Sequence, residues 1–156
     1  MIRVLMICHG NICRSPMAEF VFRDMAARAG VEVEVASAAT SAEEIGNPVY
    51  PPARRVLLAH GLDPSGKTAR QLRCGDYDNW DLIVGMDSAN IRNMNRIFGG
   101  DPEHKIIRLL DLTDLKRDVA DPWYTRDFDA CWNDIVQGCS ALLDSVRENS
   151  GFTVQK

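Results

Sequence analysis

A cysteine and an arginine six residues apart, with a hydroxyl next to the arginine, make a set that can hold and attack a phosphoryl group. In this chain the set is Cys8, Arg14 and Ser15, within Cys8-His9-Gly10-Asn11-Ile12-Cys13-Arg14-Ser15. A cysteine thiolate is a strong nucleophile. A guanidinium offers a planar fork that matches two phosphate oxygens. The Ser15 hydroxyl is placed to donate to the sulfur and so ease its departure in a second step. Of the five cysteines (Cys8, Cys13, Cys74, Cys131 and Cys139), only Cys8 has an arginine at that spacing. The same residues also suit a plain packing role, with Cys8 and Cys13 as small buried apolar groups and Ser15 as a helix cap.

The flanking elements favour the chemical role. Val4-Leu5-Met6-Ile7 is an unbroken apolar run, as in a strand buried on both faces. Ser15-Pro16 reads as an N-cap followed by the first helical residue, and Met17, Phe20, Val21 and Met25 continue at helical spacing to Gly30. The octapeptide therefore joins a strand to a helix start. There, successive backbone N–H groups and the helix N-terminus attract an anion and favour a thiolate, and Gly10 permits a tight path.

Further on, Val31, Val33 and Val35 alternate with glutamates as a half-exposed edge strand. Pro51-Pro52 open a second helix to His60-Gly61, Leu82–Met86 is a third strand, and Asp87-Ser88 cap a helix to about Ile97. Lys105–Leu110 reads as a fourth strand, and Phe128 to Val146 carries a 3.6-period apolar stripe. Strands alternating with helices imply an α/β fold, with a parallel sheet between helices on both faces. Such sheets bind ligands beyond the carboxyl ends of their strands, where Cys8 falls.

With 156 residues, 46% of them hydrophobic, and no repeat or linker, the chain suits a single domain over residues 1–156. Its net charge of −4 argues against a broad nucleic-acid footprint. The apolar run at the start is too short for a signal peptide or membrane span, so the cytoplasm is expected. An odd number of cysteines does not suggest a disulfide framework. Without a C-x-x-C pair, and with His9, His60 and His104 scattered, no metal site is expected. Cys131 and Cys139 lie on the apolar stripe of the last helix and read as core packing, whereas Cys74 looks incidental.

The segment VLMICHGNICRSPMAE from Val4 to Glu19 resembles the low-molecular-weight protein tyrosine phosphatases. So do Ser37-Ala38-Ala39-Thr40, Ala69-Arg70-Gln71-Leu72, Met86-Asp87-Ser88-Ala89-Asn90 and Asp121-Pro122-Trp123-Tyr124, in the family's order across nearly the whole chain. The resemblance implies a single-domain three-layer sandwich whose four-stranded parallel sheet has the order 2-1-3-4. It implies hydrolysis of phosphotyrosine and small aryl phosphates through a cysteinyl-phosphate, without a cofactor. The partners implied are a phosphotyrosine-containing protein and phosphate or another oxyanion, with no nucleic acid or membrane, and the chain acting as a monomer.

Spacing cannot choose a general acid among the 22 carboxylates, and Asp121-Pro122 by itself reads as a turn. The resemblance implies that Asp121 is the acid and that Trp123 and Tyr124 form a wall of a deep slot. It makes Cys8, Arg14 and Asp121 catalytic. His9, Gly10, Asn11, Ile12, Cys13, Ser15 and Glu43 join the two aromatics around the substrate, and Asn11, Ser15 and Ser37 brace the loop. It also implies a protective disulfide between Cys13 and Cys8 under oxidation. Three residues depart from the pattern: Glu43 replaces an aromatic wall, Lys67 a loop-bracing histidine, and Ala39 a common glycine. Glu43 either repels acidic peptides or is a solvated loop residue. Two related activities compete. Arsenate reduction requires a pair of further cysteines where Cys74 stands alone. Phosphoarginine hydrolysis goes with threonine at the position of Ile12. A non-catalytic phosphate-binding module is the third alternative.

Overall fold

The apolar run after Met1 forms the central strand, β1 (Ile2–Cys8), in the computed structural model, which describes residues 1–148. It pairs in parallel with β2 (Val33–Ala39) on one side and β3 (Leu82–Gly85) on the other, and β4 (Ile106–Arg108) pairs outside β3. The order β2-β1-β3-β4 is the expected one, with β2 at an edge. The expected domain of residues 1–156 extends into 149–156, which lie outside the described residues.

The two faces of β1 feed two cores, because successive side chains of a strand point opposite ways. Val4 and Met6 pack with Met17 and Phe22 of α1 (Arg14–Arg28), Leu57 of α2 (Pro51–Ala59), and Ile135 and Leu142 of α6 (Phe128–Glu148). Leu5 and Ile7 pack with Tyr77 of α3 (Asp76–Asn79), Trp80, and Met94 of α4 (Ser88–Phe98). Side chains buried this fully each contribute roughly 1.5–3 kcal/mol. Helices on both faces complete the expected three layers, and no helix among the described residues is long and apolar enough to cross a membrane.

Several boundaries differ from the sequence reading. Helix α1 begins at Arg14, so Ser15 is its second residue and not its cap; the cap position is Cys13, with no side-chain hydrogen bond. The Ser15 hydroxyl is engaged with Cys8 and Asn11 instead. Strand β2 starts at Val33, leaving Val31 outside. Strand β4 stops at Arg108, and Leu109–Leu112 is a 3₁₀ turn. Leu109 and Leu110 are fully buried there, so the apolar pattern reported burial rather than extension. The Asp121-Pro122 segment is more than a turn: Pro122–Thr125 form a helical turn, α5.

Loops beyond the carboxyl ends of β1 and β2 are tied together: Thr40 N donates to Cys8 O at 3.0 Å, Ser41 N to His9 O at 3.1 Å and Tyr50 N to Ile12 O at 2.9 Å. These bonds hold the Cys8–Ser15 loop at the end of the sheet.

Candidate active site

The sulfur of Cys8 sits at the turn from β1 into α1, 3.0 Å from Ser15 Oγ and 3.3 Å from Asn11 N, which donates to it. Asn11 is the hinge of the loop, with φ at 60° in the left-handed region that asparagine tolerates better than most residues. All its amide groups are engaged. Nδ2 donates to Ser15 Oγ at 2.8 Å and Ser37 Oγ at 2.9 Å, while Oδ1 accepts from Lys67 Nζ at 3.0 Å and Arg70 N at 3.2 Å.

Those partners set the direction of the network. A flipped amide would place its N–H₂ against the Lys67 ammonium, so Oδ1 must face the lysine. Ser15 Oγ then accepts a hydrogen bond from Asn11 Nδ2, which leaves its own hydroxyl hydrogen to donate to the Cys8 sulfur. Ser37 Oγ likewise receives from Asn11 and donates to Glu19 Oε1. Glu19 is buried and is balanced by Arg23 Nη2 at 2.6 Å and Lys67 Nζ at 3.9 Å. Lys67 also donates to Ser37 O at 3.3 Å and Thr68 O at 3.1 Å. Burial holds the Lys67 ammonium below the ordinary lysine range, although Glu19 acts the other way. The lysine that replaces the histidine of the resemblance thus still reaches the loop.

Arg14, 2% exposed, is oriented from three sides. Nη1 donates to Asp87 Oδ2 at 2.7 Å and to Val119 O at 2.9 Å, and Nη2 to Asp121 Oδ2 at 3.4 Å. Burial alone would weaken its charge, but Cys8, Asp121 and Asp87 outweigh that and raise its pKa. Asp121 also accepts from Trp123 N at 3.0 Å through Oδ1, which caps α5. One carboxylate thus touches both Arg14 and the segment that carries the aromatic residues.

A cavity of about 310 Å³ opens above the sulfur, lined by Cys8, His9, Gly10, Ile12, Cys13, Arg14, Glu43, Glu44, Asp121, Trp123 and Tyr124. Asn11, Ser15 and Ser37 are not in that lining; they are buried in the bracing network. Trp123 is 45% exposed and Tyr124 81%, as suits a wall at the mouth. Tyr50 supports Trp123 from outside, with ring centroids 4.8 Å apart. Glu43 is not a purely solvated loop residue: its Oε2 accepts a hydrogen bond from His9 Nε2.

Burial, followed by the neighbouring Cys8, raises the Cys13 thiol far above its ordinary range, so it stays protonated beside the site. Burial pushes Cys131 up to about 12 and raises Cys139 as well, which agrees with core packing. Among the described residues, no group of three or more His, Cys, Asp or Glu side chains is arranged to hold a metal ion.

Sequence reasoning missed Asp87, Glu19, Glu44 and Tyr50. Asp87 was hidden by a valid local role, since its Oδ1 caps α4 through Asn90 N at 2.7 Å while Oδ2 holds Arg14. Glu19 shows only an ordinary i,i+4 pair with Arg23 in its own helix, which conceals its bond from Ser37, and Tyr50 acts through partners distant in sequence.

Residues 3–151 match the family model described as low molecular weight phosphotyrosine protein phosphatase. The low molecular weight protein-tyrosine-phosphatase YfkJ of Bacillus subtilis is 41% identical over 153 residues, covering 95% of this chain and 97% of that protein. The crystal structure of YfkJ superposes with a TM-score of 0.92 at 40% identity, covering 96% of both chains. A protein tyrosine phosphatase from Entamoeba histolytica, solved with Hepes in the active site, superposes with a TM-score of 0.89 at 26% identity, covering 96% of this chain and 99% of that one.

Proposed function

The chain belongs to the low molecular weight phosphotyrosine protein phosphatase family and is a cysteine-dependent protein-tyrosine-phosphatase; from that premise we propose that Cys8 is its nucleophile, Arg14 its phosphate clamp and Asp121 its general acid. The observation that carries the assignment is the convergence of Ser15 Oγ and Asn11 N on one sulfur, beneath a cavity that Asp121 also lines.

The phosphoryl group of phosphotyrosine binds over the loop, its oxygens meeting backbone N–H groups and the Arg14 fork. The Cys8 thiolate attacks phosphorus as the bond to the phenolic oxygen breaks, and Asp121 gives its proton to that oxygen. The phenol leaves and a cysteinyl-phosphate remains. Asp121, now a carboxylate, takes a proton from water as the water oxygen attacks phosphorus. The S–P bond breaks, Cys8 departs as a thiolate stabilised by the Ser15 hydroxyl, and inorganic phosphate is released. His9, Gly10, Ile12, Cys13, Glu43, Trp123 and Tyr124 surround the aromatic ring, and Ile12 fills space that suits a flat phenol.

The resting site supports a positioning role for Asp87 and Val119, which fix Arg14 before substrate arrives. All five cysteines are free thiols, which suits the cytoplasm. The reading further proposes a monomer that needs neither metal nor cofactor. Under peroxide, Cys13 is the partner proposed for a reversible disulfide with Cys8.

Rapid-quench labelling with a phosphorus-labelled aryl phosphate tests the assignment. Label should appear on Cys8 within one turnover, and Cys8→Ser should be folded, unlabelled and inactive. Label on another residue, or turnover by folded Cys8→Ser, removes Cys8 from the mechanism.

A further inference from the structure

Two unlike sets of side chains line the cavity: the aromatic Trp123 and Tyr124, and the acidic Glu43 and Glu44. Glutamates are an unexpected lining for a site that must admit a phosphate dianion, yet these two are built into place. Ser41 anchors their loop, its Oγ donating to His9 O at 2.9 Å. Gly46 N donates to Ala69 O at 2.8 Å, and Asn47 N to Glu44 O at 2.9 Å. Glu43 is held by His9 and Glu44 by Asn47 Nδ2 at 2.6 Å, each through its Oε2, so Oε1 of each takes no part in those bonds. The phosphate loop leaves room for them: a Cβ at Gly10 would meet Glu44 Cγ at 3.3 Å.

The field at the mouth differs from that at the floor. Arg14, the one arginine or lysine in the lining among the described residues, is buried and already paired with Asp87 and Asp121. His9 is occupied by Glu43, and Arg126 lies over the rings of Tyr50 and Phe128. A bound phosphotyrosine meets its counter-charge at the floor, while the residues beside it in the peptide meet carboxylates.

We propose that Glu43 and Glu44 determine specificity, selecting phosphotyrosine flanked by lysine or arginine and disfavouring phosphotyrosine flanked by acidic residues. The inference rests on the reading that this cavity takes phosphotyrosine, and it names the class of protein substrate. The contacts are exposed ion pairs, so each contributes a factor of about two to five and weakens as salt rises.

Three phosphotyrosine peptides of equal length, with lysines, glutamines or glutamates on both sides of the tyrosine, test it through kcat/KM at low ionic strength. The wild type should prefer lysine over glutamine over glutamate, spanning about tenfold overall. Added salt should compress the span without any substitution. Glu43→Gln and Glu44→Gln should each shrink the lysine-to-glutamate ratio, and the double variant should bring it near one. Equal kcat/KM for the three peptides in the wild type overturns the proposal, as does a ratio that the double variant leaves unchanged. Hydrolysis of nitrophenyl phosphate with none of the three peptides would overturn the phosphotyrosine reading itself, and this proposal with it.

Discussion

A phenol has a pKa near ~10, so tyrosine leaves phosphorus slowly unless a proton arrives with it. Asp121 is the carboxylate that lines the cavity and touches Arg14, at 3.4 Å. Asp121→Asn keeps the size and the hydrogen bond from Trp123 N but carries no acidic proton. It should slow phosphotyrosine hydrolysis by roughly 10²–10⁴, and nitrophenyl phosphate, with its better leaving group, by much less. Equal losses on the two substrates would make Asp121 a shaping residue only. Residues of this kind differ in how far they can be read from sequence. Cys8, Arg14 and Ser15 share one short loop, so spacing and type reveal them. Asp121 lies 107 residues from Arg14 and reads locally as a turn, so only the resemblance points to it. Asp87 reads as a helix cap, which it is, and that role conceals its bond to Arg14.

Elements long enough to show their period were legible. β1 and α6 emerged from apolar patterning, whereas α3 and α5, four residues each, are shorter than any period can reveal. The end of β4 was misplaced because burial of Leu109 continues while the backbone changes. Packing between elements leaves even less trace. Gly138 lies in α6 against Leu109, and a Cβ there would stand 2.3 Å from Leu109 Cγ. Alanine for glycine within a helix ordinarily gains about 1 kcal/mol. Here Gly138→Ala should instead destabilise by about 1–3 kcal/mol, because Leu109 is fully buried and has nowhere to move. Urea unfolding checks the sign, and in a double-mutant cycle Gly138→Ala should cost less in a Leu109→Ala background than in the wild type. The loop brace is likewise held between elements. Lys67→Met removes the ammonium from Asn11 Oδ1, loosening the amide that directs Ser15 toward Cys8. Ser15 matters most when sulfur leaves, so kcat should fall about tenfold, by more than kcat/KM, with phosphoenzyme accumulating in rapid-quench samples. Equal falls in both would mean that Lys67 supports the loop without acting through Ser15.

Across the whole molecule, the alternation of strands and helices predicted a parallel sheet, while the order β2-β1-β3-β4 came from resemblance, since periodicity says nothing about which strands are neighbours. The site depends on that order. It draws Cys8 from the end of β1, Arg14 and Ser15 from α1, Ser37 from β2, Lys67 from a loop, and Asp87 and Asp121 from beyond β3 and before α5. An unfolded chain cannot assemble these groups, so an oxyanion that occupies the loop binds the native state alone. Its binding should therefore stabilise the entire fold by mass action. Phosphate or vanadate at 100 times its Kd should contribute about 2.7 kcal/mol, which for a domain of this size raises Tm by roughly 5–10 °C. Arg14→Lys, whose ammonium cannot form the forked contact, should lose most of that shift at the same anion concentration. Calorimetry with phosphate, and with chloride at matched ionic strength, separates site binding from general salt effects. A wild-type shift no larger in phosphate than in chloride would mean that the loop is not an oxyanion site. The same shift in wild type and Arg14→Lys would place the anion elsewhere on the surface.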